Sequence, residues 1–530
     1  MQRILRRANI KLTVGWAAAM LSGMSLVSMA LGLLRERLLN ANFGVDSLEL
    51  DAYRVAFKVP DFMFIILVSG ALSVTFIPIL NERLSNHNRK SAWELTSSLI
   101  NFLATITLVA SVTIFIFADP IIKYLLAPGM EAEGQQLAVL MMRIIAVNPF
   151  LFAISSILTS VQQAVGRFFF FALAPAVYSL GIIVGIIVLA PDFGILGVAY
   201  GVVFGSVMQL LVGAMGMAGL GFEYTSGINW RHKGLRETLR LLPQRSLDQG
   251  MDYFNSLVEI SVASRLRTGL INSWEVAFTL HWVPINLIGI AISTAAFPQM
   301  TERISQGRPD LFRKEFIRVL RVLVWLALPV TVVAYVGRGY LVRLLVAEGN
   351  EVIANLVGLL VVAMFFRAIF HLVSRSFYAH KDTRTPLIVS IYAIGLNVFL
   401  AIFLVLPIGL GLGIAGLAIA QSVVAVVEVT ILLSIMQKRH QKLFTLDLIS
   451  VFARMLLAAV MSAFLMYGLI ILFPLRATDV GFFALVPKFG VIVAATLIGY
   501  VLLSYLFRLG EPKPVVERAL KIIFRPIKIN

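Results

Sequence analysis

The chain has 530 residues, of which 59% are hydrophobic and only 14% are charged, and its formal net charge is +17. A soluble protein of this length needs far more polar surface, so the composition excludes a soluble enzyme. The chain contains no cysteine, which excludes disulfides and thiolate metal sites.

Apolar segments close to the length of a bilayer crossing follow one another along almost the whole chain. Since a helix needs roughly 20 apolar residues to cross the hydrocarbon core, we predict an all-α polytopic membrane protein with about 14 transmembrane helices. The predicted spans are residues 12–37, 52–80, 96–120, 137–162, 168–190, 194–219, 247–270, 275–298, 317–337, 352–378, 384–407, 411–436, 449–473 and 481–507. Crossings joined by short loops indicate a channel or a carrier.

Charged residues in the predicted loops alternate between the two sides of the membrane. Basic loops, such as those with Arg89 and Arg240, fall on the N-terminal side, whereas acidic loops, such as those with Asp46 and Glu131, fall on the other side. The positive-inside rule then places both termini in the cytoplasm. The first apolar run is too long for a signal peptide, so we expect an uncleaved first span.

Two basic amphipathic segments are predicted to lie on the cytoplasmic membrane surface. Residues 230–242, between spans six and seven, mix apolar side chains with arginine and lysine, and residues 518–528 do the same in the tail. Such segments bind anionic lipid surfaces, so membrane lipids are expected partners. Nucleic acid is not expected, because the loops lack platforms that combine aromatic and basic residues.

The second half of the chain repeats the first at an offset of 220 residues, which aligns Pro78 with Pro298 and Glu82 with Glu302. Both copies begin on the same membrane side, which predicts a parallel repeat about an axis along the membrane normal. Glycines at four-residue spacing in spans five and six predict close helix packing. The predicted organisation is an N-lobe (1–220), a cytoplasmic interfacial linker helix (221–246), a C-lobe (247–440), two further helices (441–510) and a basic cytoplasmic tail (511–530).

Several ionisable residues fall inside predicted spans, where charges are costly and face cavities or one another. In span two, Asp51, Arg54 and Lys58 share one helix face. Together these positions predict a cationic cavity that suits an anionic substrate, because arginine can hold phosphate oxygens with two parallel hydrogen bonds. The candidate substrate-binding residues are Arg35, Asp51, Arg54, Lys58, Arg265, Arg267 and Arg367.

The sequence contains no phosphate-binding loop with Gly-Lys-Ser/Thr and no His-Glu-x-x-His zinc motif. We therefore expect no nucleotide, no metal and no other cofactor. Transport would have to draw on ion gradients, the membrane potential or the flux of substrate.

Three segments carry a resemblance to a known family: LGLLRERLLNANFG from Leu31, DAYRVAFKVPDFMFIILVSGALSVTFIPIL from Asp51 and FYAHKDTRTP from Phe377. The chain is similar to the MurJ/MviN lipid II flippases of the multidrug/oligosaccharidyl-lipid/polysaccharide exporter superfamily. The resemblance implies 14 spans, two six-helix lobes, a central cationic cavity and a lipid-tail groove formed with the last two helices. It also implies export of a lipid-linked peptidoglycan precursor across the bacterial inner membrane by alternating access. Arg35 and Asp51 match charged residues of the family.

The chain departs from the family pattern where arginines are expected. Met29 and Phe64 stand at two of these positions, and Thr279 and Trp282 replace an arginine and an acidic residue in span eight. Arg54, Arg265, Arg267 and Arg367 are hypothesised to supply the missing charge. Three alternatives to a lipid II flippase remain open: a flippase for another polyprenyl-linked glycan, a cation-coupled multidrug exporter and a transport-inactive membrane scaffold. We expect a monomer, and association with the cell-wall synthesis machinery is left open.

Overall fold

The computed structural model describes residues 14–69, 75–86, 88–440, 443, 445–476, 479, 481–513 and 517. No β-strand occurs in these ranges, so the all-α prediction is confirmed for them. Predicted features that fall outside the described residues are the basic segment before span one, the middle of the first repeat block (70–74) and most of the basic tail (514–516 and 518–530).

Helices account for most of the described chain, and four of them lead directly into a wider, π-helical turn. The α-helices are α1 (Val14–Phe43), α2 (Leu48–Phe64), α3 (Ile77–Ser85), α4 (Arg89–Pro120), α5 (Ala132–Ile145), α6 (Asn148–Ala164), α7 (Phe169–Val184), α8 (Ala190–Phe193), α9 (Ile195–Met215), α10 (Lys233–Ala263), α11 (Leu270–Pro284), α12 (Ala291–Ser305), α13 (Pro309–Val336), α14 (Arg338–Leu345), α15 (Glu351–Ala379), α16 (Arg384–Val405), α17 (Ala415–Arg439), α18 (Leu446–Leu472) and α19 (Phe482–Leu506). The π-helical turns are Ile65–Ser69, Ile121–Leu126, Gly185–Leu189 and Ile285–Ile290.

Side-chain caps explain where three of these helices begin. Ser47 accepts a hydrogen bond from the backbone N–H of Leu50 at the start of α2, Asn350 caps α15, and Thr445 caps α18. Each side-chain oxygen satisfies one of the backbone N–H groups that the first turn of a helix leaves without an internal partner.

Eleven helical segments in the described residues are long and apolar enough to cross a membrane. In the part of the chain that the structure describes, each of the fourteen predicted spans falls on helical segments. The first, second and seventh predicted spans fall on α1, α2 and α10, which are not among the eleven. The polytopic helical architecture is therefore confirmed, and the count of fourteen stays a prediction.

The predicted interfacial segment and the seventh span belong to one continuous helix. α10 begins at Lys233, within the basic stretch, and runs without interruption to Ala263. The connection that precedes it is fixed to α4, where Asn101 Nδ2 donates to the carbonyl oxygens of Thr225 at 3.0 Å and Gly227 at 2.7 Å.

The chain divides into two compact units, Met1–Asn272 and Ser273–Asn530. In the first unit a buried apolar core forms around Phe76, Trp93 and Leu99. In the second unit the core is built around Phe312 and Phe377, together with aromatic and aliphatic side chains of α13, α15 and α18. The lobe boundaries predicted from the sequence remain a proposal.

The internal repeat appears in local geometry as well as in sequence. After α3, the backbone N–H of Asn88 donates to the carbonyl of Arg83 at 3.0 Å. After α12, Arg308 makes the same bond to Arg303, also at 3.0 Å, and each residue lies 220 positions further along the chain. At both helix ends a backbone N–H group five residues further along the chain thus satisfies the carbonyl of the matching arginine.

Glycines allow α7 and α9 to approach closely, as their spacing predicts. A Cβ atom on Gly181 would lie 2.2 Å from the Cα of Gly205, and one on Gly201 would lie 2.5 Å from the Cα of Gly185. These distances are far below van der Waals contact, so only glycine fits at these positions. The prediction of close helix packing is confirmed.

Candidate functional site

Two arginines share one buried carboxylate between α1 and α2. Arg54 donates to both oxygens of Glu36, with an Nη1–Oε1 distance of 3.2 Å. Arg35 donates from Nη2 to Oε1 of the same carboxylate at 3.0 Å. Glu36 is only 4% exposed. An isolated buried charge is very costly, so the Glu36 carboxylate needs cationic partners. Its hydrogen bonds therefore fix the positions of both guanidinium groups.

Asp51 connects α2 to the start of α11. Its carboxylate accepts hydrogen bonds from the backbone N–H groups of Gly269 at 2.6 Å and Asn272 at 2.7 Å. Gly269 immediately precedes α11 and Asn272 lies in its first turn, where backbone N–H groups lack partners within the helix. Gly269 has a φ of +89°, and its Cα packs against Asp46, so the turn before α11 requires glycine. Asp51 therefore holds the connection between α10 and α11 against α2.

Asn272 links the arginine cluster to the Asp51 contact. Its Oδ1 accepts from Arg54 Nε at 3.0 Å, and its Nδ2 donates to Asn40 Oδ1 at 3.1 Å and to the Val45 carbonyl at 2.9 Å. The side-chain amide thus joins three segments through one residue. A buried polar network in which each member is paired fixes the relative positions of its helices.

Lys58 lies one turn beyond Arg54 on α2 and faces α10. Its Nζ donates to Ser256 Oγ at 2.9 Å, and the side chain is half-buried. The predicted polar face of α2 is therefore confirmed as a row that runs from Asp51 through Arg54 to Lys58.

Arg265 and Arg267 lie in the turn between α10 and α11, where both are exposed. The backbone of Arg265 lies directly against Gly129, which has no room for a side chain there. The sequence predicted these two arginines inside a cavity. The structure places both in the exposed turn that follows the end of α10 at Ala263, and their position in a cavity stays a prediction.

Arg367 belongs to the second unit and has a partner of its own. Its Nη1 lies 2.9 Å from Glu428 Oε2, and Ser390 donates to the other carboxylate oxygen at 2.8 Å. Arg367 also lies over the ring of Phe370, 5.6 Å from its centroid. The pair joins α15, α16 and α17 by a salt bridge whose acidic side chain is only 2% exposed.

The predicted substrate-binding residues do not include three residues that organise these contacts, namely Glu36, Asn272 and Glu428. A usable signal existed for two of them. Glu36 stands between two arginines at the end of an apolar helix, and Glu428 interrupts the apolar run of α17. Because ionisable groups within a membrane pair with one another, each predicted arginine should have prompted a search for an acidic partner. Asn272 had no such signal, since a single amide on a helix carries no pattern.

The N-terminal cluster offers guanidinium groups rather than a metal site. No group of three or more histidine, cysteine or acidic side chains able to hold a metal occurs in the described residues. The Arg35 side chain is 25% exposed, against 11% for Arg54. Arg35 is thus the more accessible of the two arginines, and a planar guanidinium matches the oxygens of a phosphate or carboxylate.

Comparisons with known proteins show which family and which relatives the chain is similar to. Residues 39–487 match the family model described as lipid II flippase MurJ. A probable lipid II flippase MurJ of Borreliella burgdorferi is 24% identical over 462 residues, which cover 86% of this chain and 89% of that protein. A probable lipid II flippase MurJ of Thermotoga maritima is 27% identical over 404 residues, which cover 74% of this chain and 79% of that protein.

Solved structures share the fold. A lipid II flippase MurJ in an inward closed conformation superposes with a TM-score of 0.76 at 23% identity, covering 92% of this chain and 98% of that chain. An inward-facing multidrug resistance MATE family transporter of the MOP superfamily superposes with a TM-score of 0.64 at 16% identity, covering 79% of this chain and 99% of that chain. The family match extends over most of the sequence, and the chain therefore belongs to the lipid II flippase MurJ family.

Proposed function

We propose that this protein is a lipid II flippase, a transporter that moves undecaprenyl-diphosphate-linked peptidoglycan precursor from the inner to the outer leaflet. The observation that carries the proposal is the match of residues 39–487 to the lipid II flippase MurJ family. Transport by alternating access, without chemical conversion of the cargo, fits the absence of nucleotide-binding and zinc motifs in the sequence.

The diphosphate of the cargo is the group that the arginines of the first unit suit. Arg35 is partly exposed and shares its carboxylate with Arg54, so the two cations are only partly neutralised by Glu36. Lys58 adds a third cation on the same side of α2, where its Nζ donates to Ser256 Oγ at 2.9 Å. We assign the contact with diphosphate to Arg35, Arg54 and Lys58, and a positioning role to Asp51.

The remaining candidates receive different roles. Arg265 and Arg267 are assigned to an exposed basic turn at the outer end of the first unit. Arg367 is assigned to the second unit, where its bond to Glu428 supports a helix-joining role beside any role with substrate. Arg54 is then the residue best suited to replace the arginines expected at Met29 and Phe64. In the second unit Arg367 is the corresponding candidate, since it lies one helical turn from His371, whose ring centroid is 6.3 Å from that of Trp282.

The proposal includes the setting of the protein. It is a multi-pass protein of the bacterial cytoplasmic membrane with both termini in the cytoplasm, as the positive-inside pattern indicates. It works as a monomer that can associate with the cell-wall synthesis machinery. Two six-helix lobes (1–220 and 247–440) carry the transport site, and residues 441–510 form the groove for the polyprenyl chain.

The decisive experiment depletes the protein in its own host and measures labelled lipid-linked precursor on each face of the membrane. We expect precursor to accumulate on the cytoplasmic face and to be cleared by the intact chain. A variant with Arg35→Ala and Lys58→Ala should be present in the membrane in normal amount and fail to clear it. The matched control is Arg89→Ala with Lys90→Ala, which removes two exposed cations away from the cluster.

An unchanged distribution of precursor on depletion would contradict the lipid II assignment. The same assay with other polyprenyl-linked glycans then tests the first alternative, a flippase for a different glycan. Normal clearance by the Arg35→Ala, Lys58→Ala variant would leave the transport assignment standing and remove the assigned diphosphate contact.

A further inference from the structure

A small basic cavity lies at the N-terminal part of α13 in the second unit, far along the chain from the arginine cluster of the first unit. Its volume is about 250 Å³. One wall is α13, and the other is the segment that follows α19. The lining residues are Lys314, Ile317, Arg318, Arg321, Val322, Gly510 and Glu511.

The three cations of this cavity lie on one face of α13. Lys314, Arg318 and Arg321 are separated by four and three residues, which is the spacing of side chains on one side of a helix. From Val322 to Val336 the helix carries no charged residue. Arg321 therefore marks the point where α13 passes from a polar to an apolar environment, and the cavity lies at the level of the membrane surface.

The charges in the cavity are unevenly paired. Arg321 forms an ion pair with Glu511, whose side chain is 5% exposed, so this cation is already neutralised. Arg318 contacts Glu315, but its own side chain is 67% exposed, and an exposed pair of this kind is weak. Lys314 is exposed, and none of the described contacts gives it an acidic partner. The cavity thus keeps positive charge on Lys314 and Arg318.

We propose that this cavity binds the phosphodiester headgroup of an anionic membrane phospholipid. Lys314 and Arg318 bind the phosphate oxygens. Arg321 lines the same cavity, with its charge paired to Glu511. The apolar side chains of Ile317 and Val322 line the same cavity and continue into the uncharged part of α13, along which an acyl chain can lie. Basic pockets between transmembrane helices at the cytoplasmic surface bind lipid headgroups by the same chemistry. The site is separate from the proposed diphosphate contact and does not depend on the identity of the cargo.

The test uses the intact chain in detergent and native mass spectrometry, with phosphatidylglycerol and phosphatidylcholine added separately. We expect phosphatidylglycerol adducts on the wild-type protein and a Lys314→Ala, Arg318→Ala variant that binds about 30-fold more weakly. The control is again Arg89→Ala with Lys90→Ala, which removes the same charge at the exposed start of α4 in the first unit. A gel-filtration profile like that of the wild type shows that each variant is folded.

Two results would overturn the proposal. One is equal loss of phosphatidylglycerol adducts in the cavity variant and the control variant, which would mean diffuse attraction to positive charge. The other is full displacement of the lipid by excess inorganic phosphate, which would identify the ligand as a free phosphate group. Retention of the lipid against phosphate, and its loss only in the cavity variant, supports a lipid site.

Discussion

Arg54 on α2 reaches both carboxylate oxygens of Glu36 on α1, so a single ion pair fixes the two helices that carry the cations of the first unit. The acid is almost fully buried, whereas Arg35 beside it remains partly exposed. Glu36 and Arg54 therefore join the two helices, whereas Arg35 remains accessible. Mutations at Glu36 and at Arg35 should therefore separate effects on stability from effects on transport.

Removal of the Glu36 carboxylate, which Arg35 and Arg54 share, should destabilise the protein more than removal of an exposed carboxylate. We expect Glu36→Ala to lower the free energy of unfolding by about 3–5 kcal/mol, because Arg35 and Arg54 would both lose the buried carboxylate that they contact. The measurement is the thermal unfolding midpoint in detergent, read by gel filtration of the heated protein. Glu49→Ala is the control, since Glu49 is an exposed acid on α2, the helix that carries Arg54. Equal midpoints for the two variants would show that the ion pair contributes little.

The fold was largely predictable from the sequence, whereas the pairing within the site was only partly so. Hydrophobic length and the alternation of charged loops report the environment of whole helices, which is why each of the fourteen predicted spans falls on helical segments in the described part of the chain. The partners of Arg54 and Arg367 depend on which helix faces approach each other. Helix periodicity shows only on which face of its own helix a residue lies. Which two faces meet depends on how the helices pack in three dimensions.

The predicted membrane topology can be tested directly, because the chain has no native cysteine. Single cysteines at Glu49 and Asp192 are expected to react with a membrane-impermeant maleimide added to intact cells. Cysteines at Arg89 and Lys438 are expected to react only after the membrane is permeabilised. All four positions are exposed, so accessibility within the protein is matched. Labelling of the Arg89 position in intact cells would contradict a cytoplasmic location of the termini.

A histidine pair in the second unit should make stability depend on pH. His440 Nε2 lies 3.0 Å from His380 Nε2, and His380 Nδ1 lies 2.8 Å from the Ser376 carbonyl, to which it donates. His380 Nε2 then accepts the proton of His440 Nε2 when both rings are neutral. Burial, the His380 ring and the Arg439 guanidinium lower the pKa of His440 below its usual value of 6.5.

The sign follows from proton binding. The unfolded chain takes up a proton on His440 at higher pH than the folded protein, so stability is complete above the unfolded pKa of about 6.5 and falls as the pH decreases through it. We expect His440→Gln to reduce the loss of thermal stability between about pH 7.5 and pH 5.5. Lys438→Gln removes a neighbouring exposed charge, and it should leave the slope unchanged. An equal pH dependence of thermal stability in His440→Gln and in the wild type would show that His440 does not cause that dependence.

Mutation of the buried Arg367–Glu428 pair distinguishes two roles for Arg367, namely joining helices and binding substrate. Either single change, Arg367→Met or Glu428→Leu, leaves one charge buried alone and should cost about 3–5 kcal/mol. The double variant removes both charges and should recover most of this stability, since apolar replacements of similar size are often neutral at such sites. Precursor clearance by the double variant then decides the role. A stable double variant that clears precursor normally restricts Arg367 to joining α15 to α17. A stable double variant that fails to clear precursor places Arg367 among the residues that contact the cargo, as its position within an apolar span predicted.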